Sequence, residues 1–321
     1  MTFLRGEPGD KAGASFAPLM RMRRPSCAVA ILSGWLFAAA ACGGSSPATP
    51  SATSTTGSGR APVRLKVMTF NIQHGIDGTN RYNLQRAIDT IARAQADIVG
   101  LQEVTRNHPY YNCDDQPARI AEGLKAATGR TWSVVYEQEW FTPNVECRDS
   151  GRGDGKETEG LAFLSPAPIG SPSMTPLPVS RIALTVKPAA LGGMAATVTH
   201  LASGKTNGPA RAKEVEALIK ATEKFGASQI VLGDFNLKPE EPELQPMLTL
   251  FRDVWTMAKE AGAASGPEGT HTNTRIDFLF VKGNDVQIVR AENVETSSWF
   301  GAAASDHRPL VGTFRLPHAV K

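Results

Sequence analysis

The apolar run Gln229-Ile230-Val231-Leu232 leads straight into Gly233-Asp234-Phe235-Asn236. Residues two apart in an extended chain point the same way, so Asp234 and Asn236 present a carboxylate and a carboxamide side by side. The first only accepts hydrogen bonds; the second accepts and donates. Such a pair suits a site that must hold a water and a phosphate oxygen together. Gly-Asp-x-Asn is equally the composition of an ordinary turn, and the rest of the chain decides between the two. Apolar stretches elsewhere carry Asn71, Glu103, His200, Asp277, and Asp306 with His307 at or near their ends. Strand ends and the loops after them are where α/β sheets place ligands. Acids, amides and two imidazoles at one edge would supply proton transfer, donors for an oxyanion and oxygen ligands for a hard cation.

Period-two and short apolar runs predict strands over 64–70, 97–103, 131–136, 159–164, 181–188, 194–200, 229–234, 275–281 and 286–291, with a last one from 305 to 314. Helical spacing of Leu84, Ile88 and Ile91 predicts a helix over 83–96. Val215, Leu218, Ile219 and Thr222 do the same for 209–225, with a further helix over 116–127 and short helices within 241–263. Strand, helix and strand in succession imply a layered α/β arrangement. Residues 139–158, with Trp140, Phe141, Cys147 and a Gly-rich tail, read as a long mobile surface loop.

The N-terminus reads as an address. Arg21, Arg23 and Arg24 precede an apolar run from Cys27 to Ala41, followed by Cys42-Gly43, the pattern of a secretory signal. The small residues before Cys42 resemble a bacterial lipoprotein signal, in which Cys42 is lipidated. Ala39 departs from the leucine usual there, and plain secretion with cleavage at Ala41 is the alternative. Translation starts at Met1, Met20 or Met22. Residues 43–62 are Ser, Thr, Gly, Pro and Ala almost throughout, a flexible linker. The chain thus divides into 1–42 extension and signal, 43–62 linker and 63–321 catalytic domain. The formal charge of +3 is carried by the extension: without the five basic and two acidic residues among the first 42, 29 of each sign remain. A neutral domain gives no support for strong unspecific nucleic-acid binding. Outside the cytoplasm Cys113 and Cys147 offer a disulfide pair, with two free buried thiols as the alternative.

Thr69-Phe70-Asn71-Ile72, Leu101-Gln102-Glu103, Thr199-His200, Gly233-Asp234-Phe235-Asn236, Arg275-Ile276-Asp277 and Ser305-Asp306-His307-Arg308-Pro309 occur in that order across 66–315. The set resembles the endonuclease/exonuclease/phosphatase superfamily. The resemblance implies a four-layer α/β/β/α sandwich of two packed mixed sheets with helices outside. It also implies hydrolysis of a phosphate ester with Mg²⁺, with Mn²⁺ or Ca²⁺ as substitutes. By that resemblance Glu103, Asn71 and Asp306 gather the metal and Asp277 pairs with His307. Asp234 and Asn236 orient the attacking water, His200 donates to a phosphoryl oxygen, and Glu159 supports His200. Gln73 and His74 stand outside this expected site. Arg211 reads as a helix-surface residue, and Trp299-Phe300 as a pocket wall or a core anchor. The substrate expected is a nucleic acid, or a phospholipid or inositol phosphate; Thr274-Arg275-Ile276-Asp277 lacks the signature of the inositol-phosphatase branch. A lipid-anchored monomer in the cell envelope is expected. A non-catalytic envelope binding protein with the same sandwich is the competing reading.

Overall fold

The computed structural model describes residues 63–316 apart from 144 and 205. The extension 1–42, its lipidation site Cys42 and the linker 43–62 lie outside the described residues. Among the described residues thirteen strands form two sheets. The first runs in the order β10 (Ala264–Ser265), β12 (Gln287–Asn293), β13 (Leu310–Leu316), β1 (Val63–Asn71), β2 (Ile98–Arg106), β4 (Lys156–Ser165) and β3 (Ser133–Pro143). The second runs β5 (Ser173–Pro176), β6 (Ile182–Val186), β7 (Ala195–His200), β8 (Gln229–Asp234), β11 (Asp277–Lys282) and β9 (Arg252–Asp253).

Alternation along the strands builds the layers. In β1, Leu65 and Val67 join the core between the sheets, while Met68 and Phe70 face the outer helices. Val67, Ile98 and Phe163 meet Val198, Leu232 and Leu279 of the facing sheet. Gly100 permits this approach, because a Cβ there would stand 2.2 Å from Leu232 Cδ1. Helices α1 (Leu84–Ala94) and α2 (Gln116–Thr128) cover the first sheet with Ile88, Ile91, Ile120 and Leu124. The short α3 (Glu146–Asp149) follows β3. Helices α4 (Gly208–Glu223) and α5 (Gln245–Leu250) cover the second sheet with Val215, Leu218 and Met247. The sandwich is the four-layer one expected. Parallel β1–β2 and β7–β8 each enclose a crossover helix, α1 or α4. Two further helices are α6 (Val254–Glu260) and α7 (Ser297–Phe300). Trp299 and Phe300 on α7 pack against the outer core, with Arg93 over both rings; of their two expected readings, the anchor is the one seen.

The segment 139–158 corrects its expected form. Instead of a loop, β3 continues to Pro143 and pairs with β4 from Lys156 onward, with α3 between them. Cys147 on α3 is bonded to Cys113, 34 residues earlier. Closing a loop of that length contributes about 3–4 kcal/mol in the chain-entropy account. The cross-link and ladder hold a segment whose local composition reads as irregular.

Gly233 has a specific task. Its φ of +150° lies outside the range comfortable for side chains, and a Cβ would fall 2.0 Å from the Thr199 carbonyl oxygen. The β7–β8 ladder passes through this contact and sets His200 opposite Asp234; the β8–β11 ladder sets Asp277 opposite Asp234. Gly233→Ala is therefore expected to cost at least ~2 kcal/mol, read as a lowered Tm by circular dichroism. An unchanged Tm would remove the close approach from the account.

Candidate active site

Sheet polarity collects the polar residues. Asn71, His200 and Asp234 close β1, β7 and β8, and Glu103 lies near the end of β2. Asp277 instead opens β11, and His307 precedes β13. These two strands run antiparallel to β8 and β1, so their beginnings reach the edge where the others finish. Asp277 and His307 thus reach the common edge from the starts of their strands, as the strands expected over 275–281 and from 305 place them.

The edge is locally strained. Glu103 has φ +54° at a break in the β2–β4 ladder between Leu101 and Val104, a bulge of the kind that re-aims a side chain. Gln73 (+46°), His74 (+54°) and Asn236 (+49°) also occupy the left-handed region. Each such residue costs on the order of 1–3 kcal/mol, and such strain clusters at working sites.

Two buried imidazoles face one carboxylate. His307 Nδ1 is 2.8 Å from Asp277 Oδ2, and its Nε2 is 3.7 Å from Asp234 Oδ2. His200 Nε2 is 3.6 Å from the same Asp234 oxygen and 4.0 Å from Glu103 Oε1. Burial opposes charge on His307, but Asp277 and then Asp234 outweigh it and raise its pKa to about 10. A folded-state value above the ordinary 6.5 means that the pair adds stability in full below that pH. The contribution fades as pH rises through about 10. Burial, then the neighbouring charges of Arg181, His307 and His74, hold His200 well below its usual range. Burial and the nearby Asp277 raise Asp234 above the usual carboxylate range.

Asn71 ties these groups together. Its Nδ2 donates to Glu103 Oε1 at 2.9 Å and to Asp234 Oδ2 at 3.2 Å, while its Oδ1 accepts the Gln73 N–H at 3.0 Å. Those partners fix which way the amide faces. Asn71 presents nitrogen to the carboxylates and so supports Glu103 directly. Asn236 donates its N–H to Asp234 Oδ1 and its amide nitrogen to the Leu201 carbonyl, tying the Asp234 turn to the loop after His200.

Three other placements bear on the expected roles. The Asp306 carboxylate is 41% exposed and 3.8 Å from His271 Nε2. Glu159 makes no hydrogen bond or ion pair with His200 among the described residues; it lies 3.5 Å from His74 Nδ1. Arg211 is buried, not on the surface, and donates to the carbonyls of Ala202 and Gly204, holding the loop that follows His200.

Several residues enter the site that the sequence reading left out. His74 sits between Glu103 (3.3 Å) and Glu159 (3.5 Å) and stacks on Tyr111. Gln73 Oε1 accepts the Asp306 N–H. Arg181 stands behind His200, paired with buried Glu139. The His271 ring lies 4.7 Å from that of His307, tilted by 39°. The only available signal was adjacency: Gln73-His74 follows the first motif directly.

The donor set suits a hard cation. Glu103 is a carboxylate with a side chain 21% exposed, and Mg²⁺ takes one or two carboxylates while keeping several waters. Three ligating groups come within 4.8 Å of one another in Asp234–Asp277–His307 and in His271–Asp306–His307. In both, His307 is turned to Asp277 through Nδ1, and its raised pKa keeps it charged. A cationic imidazole disfavours a metal beside it, which leaves Glu103 as the better anchor.

A sequence profile described as the Endonuclease/Exonuclease/phosphatase family matches residues 68–307. No protein of curated function matches the chain in sequence. Among solved structures, an endonuclease/exonuclease/phosphatase from Beutenbergia cavernae DSM 12333 is similar at 24% identity and TM-score 0.61, over 81% of this chain and 73% of that one. The catalytic domain of human Nocturnin, with bound sulfate anion, is similar at 21% identity and TM-score 0.58, over 79% and 93%. An endonuclease/exonuclease/phosphatase from Bacteroides vulgatus is similar at 20% identity and TM-score 0.57, over 79% and 99%. At these identities the solved structures speak for the fold.

Proposed function

Because this chain belongs to the endonuclease/exonuclease/phosphatase family, whose members are generally phosphoesterases, we propose that it is an extracytoplasmic, divalent-metal-dependent phosphodiesterase. The observation that carries the reading is the convergence of His200 and His307 on one oxygen of Asp234, at 3.6 and 3.7 Å, beside Glu103. Two imidazoles around an acid, with a carboxylate beside them, mark the proposed phosphoryl pit. The reading places the protein outside the cytoplasm on the signal-like segment ending at Cys42 and on the Cys113–Cys147 bond.

His307, held charged by Asp277, offsets negative charge that builds on the phosphoryl oxygens. Being already protonated, it leaves proton removal from water to another group. Asp234 faces both imidazoles, and its raised pKa suits a general base working near neutrality. Asn71 orients the Asp234 and Glu103 carboxylates through its two donated hydrogen bonds. His200 contributes Nε2 on the other side of the pit. Water gives a proton to Asp234 and attacks phosphorus in line; the ester P–O bond opposite it breaks, the departing oxygen takes a proton from solvent, and no covalent intermediate is required. A divalent cation would be held by Glu103 and would supply Lewis-acid neutralisation of the phosphoryl charge.

The substrate is proposed as a phosphodiester of nucleic acid or phospholipid. A panel of plasmid DNA, RNA, sphingomyelin and inositol phosphates, each with Mg²⁺, tests the class. Turnover of at least one diester is expected. Cleavage of monoesters alone would overturn the diesterase reading.

A further inference from the structure

Arg181 lies directly before β6, and its Nη1 is 3.4 Å from His200 Nδ1 and 3.1 Å from Glu139 Oε2. The Glu139 side chain is wholly buried and that of Arg181 is 15% exposed. A buried pair of this kind holds a guanidinium in one place. Arginine has donors only and keeps its proton in proteins. An imidazole nitrogen that faces it must accept, so the ring proton resides on the other nitrogen. For His200 that other nitrogen is Nε2, the atom turned toward Asp234 and Glu103.

We propose that Arg181, locked by Glu139, is a positioning residue that fixes the ring proton of His200 on Nε2 and aims that N–H into the pit. The two imidazoles are thereby set in opposite ways. A carboxylate stands behind His307 and receives its Nδ1–H; a guanidinium stands behind His200 and donates to its Nδ1. The tautomer of a histidine follows from the hydrogen bond made by its remote nitrogen, and here that bond presents a donor to a phosphoryl oxygen. The functional consequence rests on the phosphoesterase reading; the tautomer does not.

The test joins spectroscopy to kinetics. Ring ¹⁵N resonances of His200, assigned by their loss in His200→Gln, are expected to show unprotonated Nδ1 and protonated Nε2 in the wild type at neutral pH. Glu139→Met/Arg181→Met removes both buried charges and leaves neither unpaired, a change that folded proteins often tolerate. It is expected to keep the native circular dichroism and to show a mixture of tautomers. Its kcat is expected to fall on the order of 100-fold with KM within ~threefold. Arg181→Lys retains a donor and is expected to restore most of kcat and the wild-type resonances. A proton on His200 Nδ1 in the wild type, or wild-type kcat in the folded double variant, would overturn the proposal. Should the double variant not fold, the wild-type resonances alone decide. A wild type without phosphoester turnover would instead sink the proposed function, with the same resonances still deciding the role of Arg181.

Discussion

Replacing His307 is expected to lower phosphodiester turnover by about 10³- to 10⁴-fold, with KM changed far less, because the charge it supplies matters most in the transition state. His307→Ala would also strand Asp277, which is 1% exposed and already has one oxygen without a partner. His307→Gln is the cleaner variant, since its amide can still donate to Asp277. The Asp277→Asn variant provides a distinct pH signature. Burial lowers the His307 pKa and Asp277 raises it, to about 10 in the balance. Wild-type activity should therefore rise through neutral pH as Asp234 loses its proton and fall on the alkaline side as that of His307 is lost. Removing the Asp277 charge moves the alkaline limb to lower pH. A limb that stays in place in a folded Asp277→Asn variant would separate His307 from the pH profile. Wild-type rates in either His307 variant would remove the residue from the mechanism.

The second large effect is at Glu103. Glu103→Gln preserves shape: its amide oxygen can accept from Asn71 and its nitrogen can face His74, as the two carboxylate oxygens do now. The fold is thus expected to remain and the metal response to change. Half-saturation by Mg²⁺ should rise at least ~10-fold, in keeping with the loss of an anionic oxygen ligand, and turnover should fall by about 100-fold. A Mg²⁺ titration that overlays the wild type would take Glu103 off the ligand set. Glu103→Gly adds a complementary reading. It relieves a left-handed backbone position worth about 1 kcal/mol or more, so it should lose activity without losing Tm.

Much of the fold was legible because its signals are local. Leu84, Ile88 and Ile91 repeat with helical period, and the strands ending at Asn71, His200 and Asp234 are short apolar runs closed by a polar group. Gly233-Asp234-Phe235-Asn236 was readable as a site motif; the structure supplies the reason for its glycine, the Thr199 carbonyl at 2.0 Å from where a Cβ would be. What escaped depends on distant partners. Glu139 and Arg181 are 42 residues apart and Arg181 and His200 are 19 apart, and nothing in an isolated charged residue says that it will be buried. Arg211 sits on a helical face that reads as exposed until the loop after His200 folds over it. His74 follows a motif but reaches the site through left-handed backbone at Gln73 and His74, a conformation that composition does not announce. The hairpin over 139–158 owes its order to a ladder and a disulfide, both long-range.

The most direct measurement is hydrolysis of bis-p-nitrophenyl phosphate by the purified domain, in Mg²⁺ and then in EDTA. Turnover in Mg²⁺ that disappears with chelation and returns on adding the ion back is the predicted result. Turnover equal in EDTA, or none with Mg²⁺ on this ester and on the natural diesters alike, would contradict a phosphodiesterase pit built from Glu103, Asp234, His200 and His307.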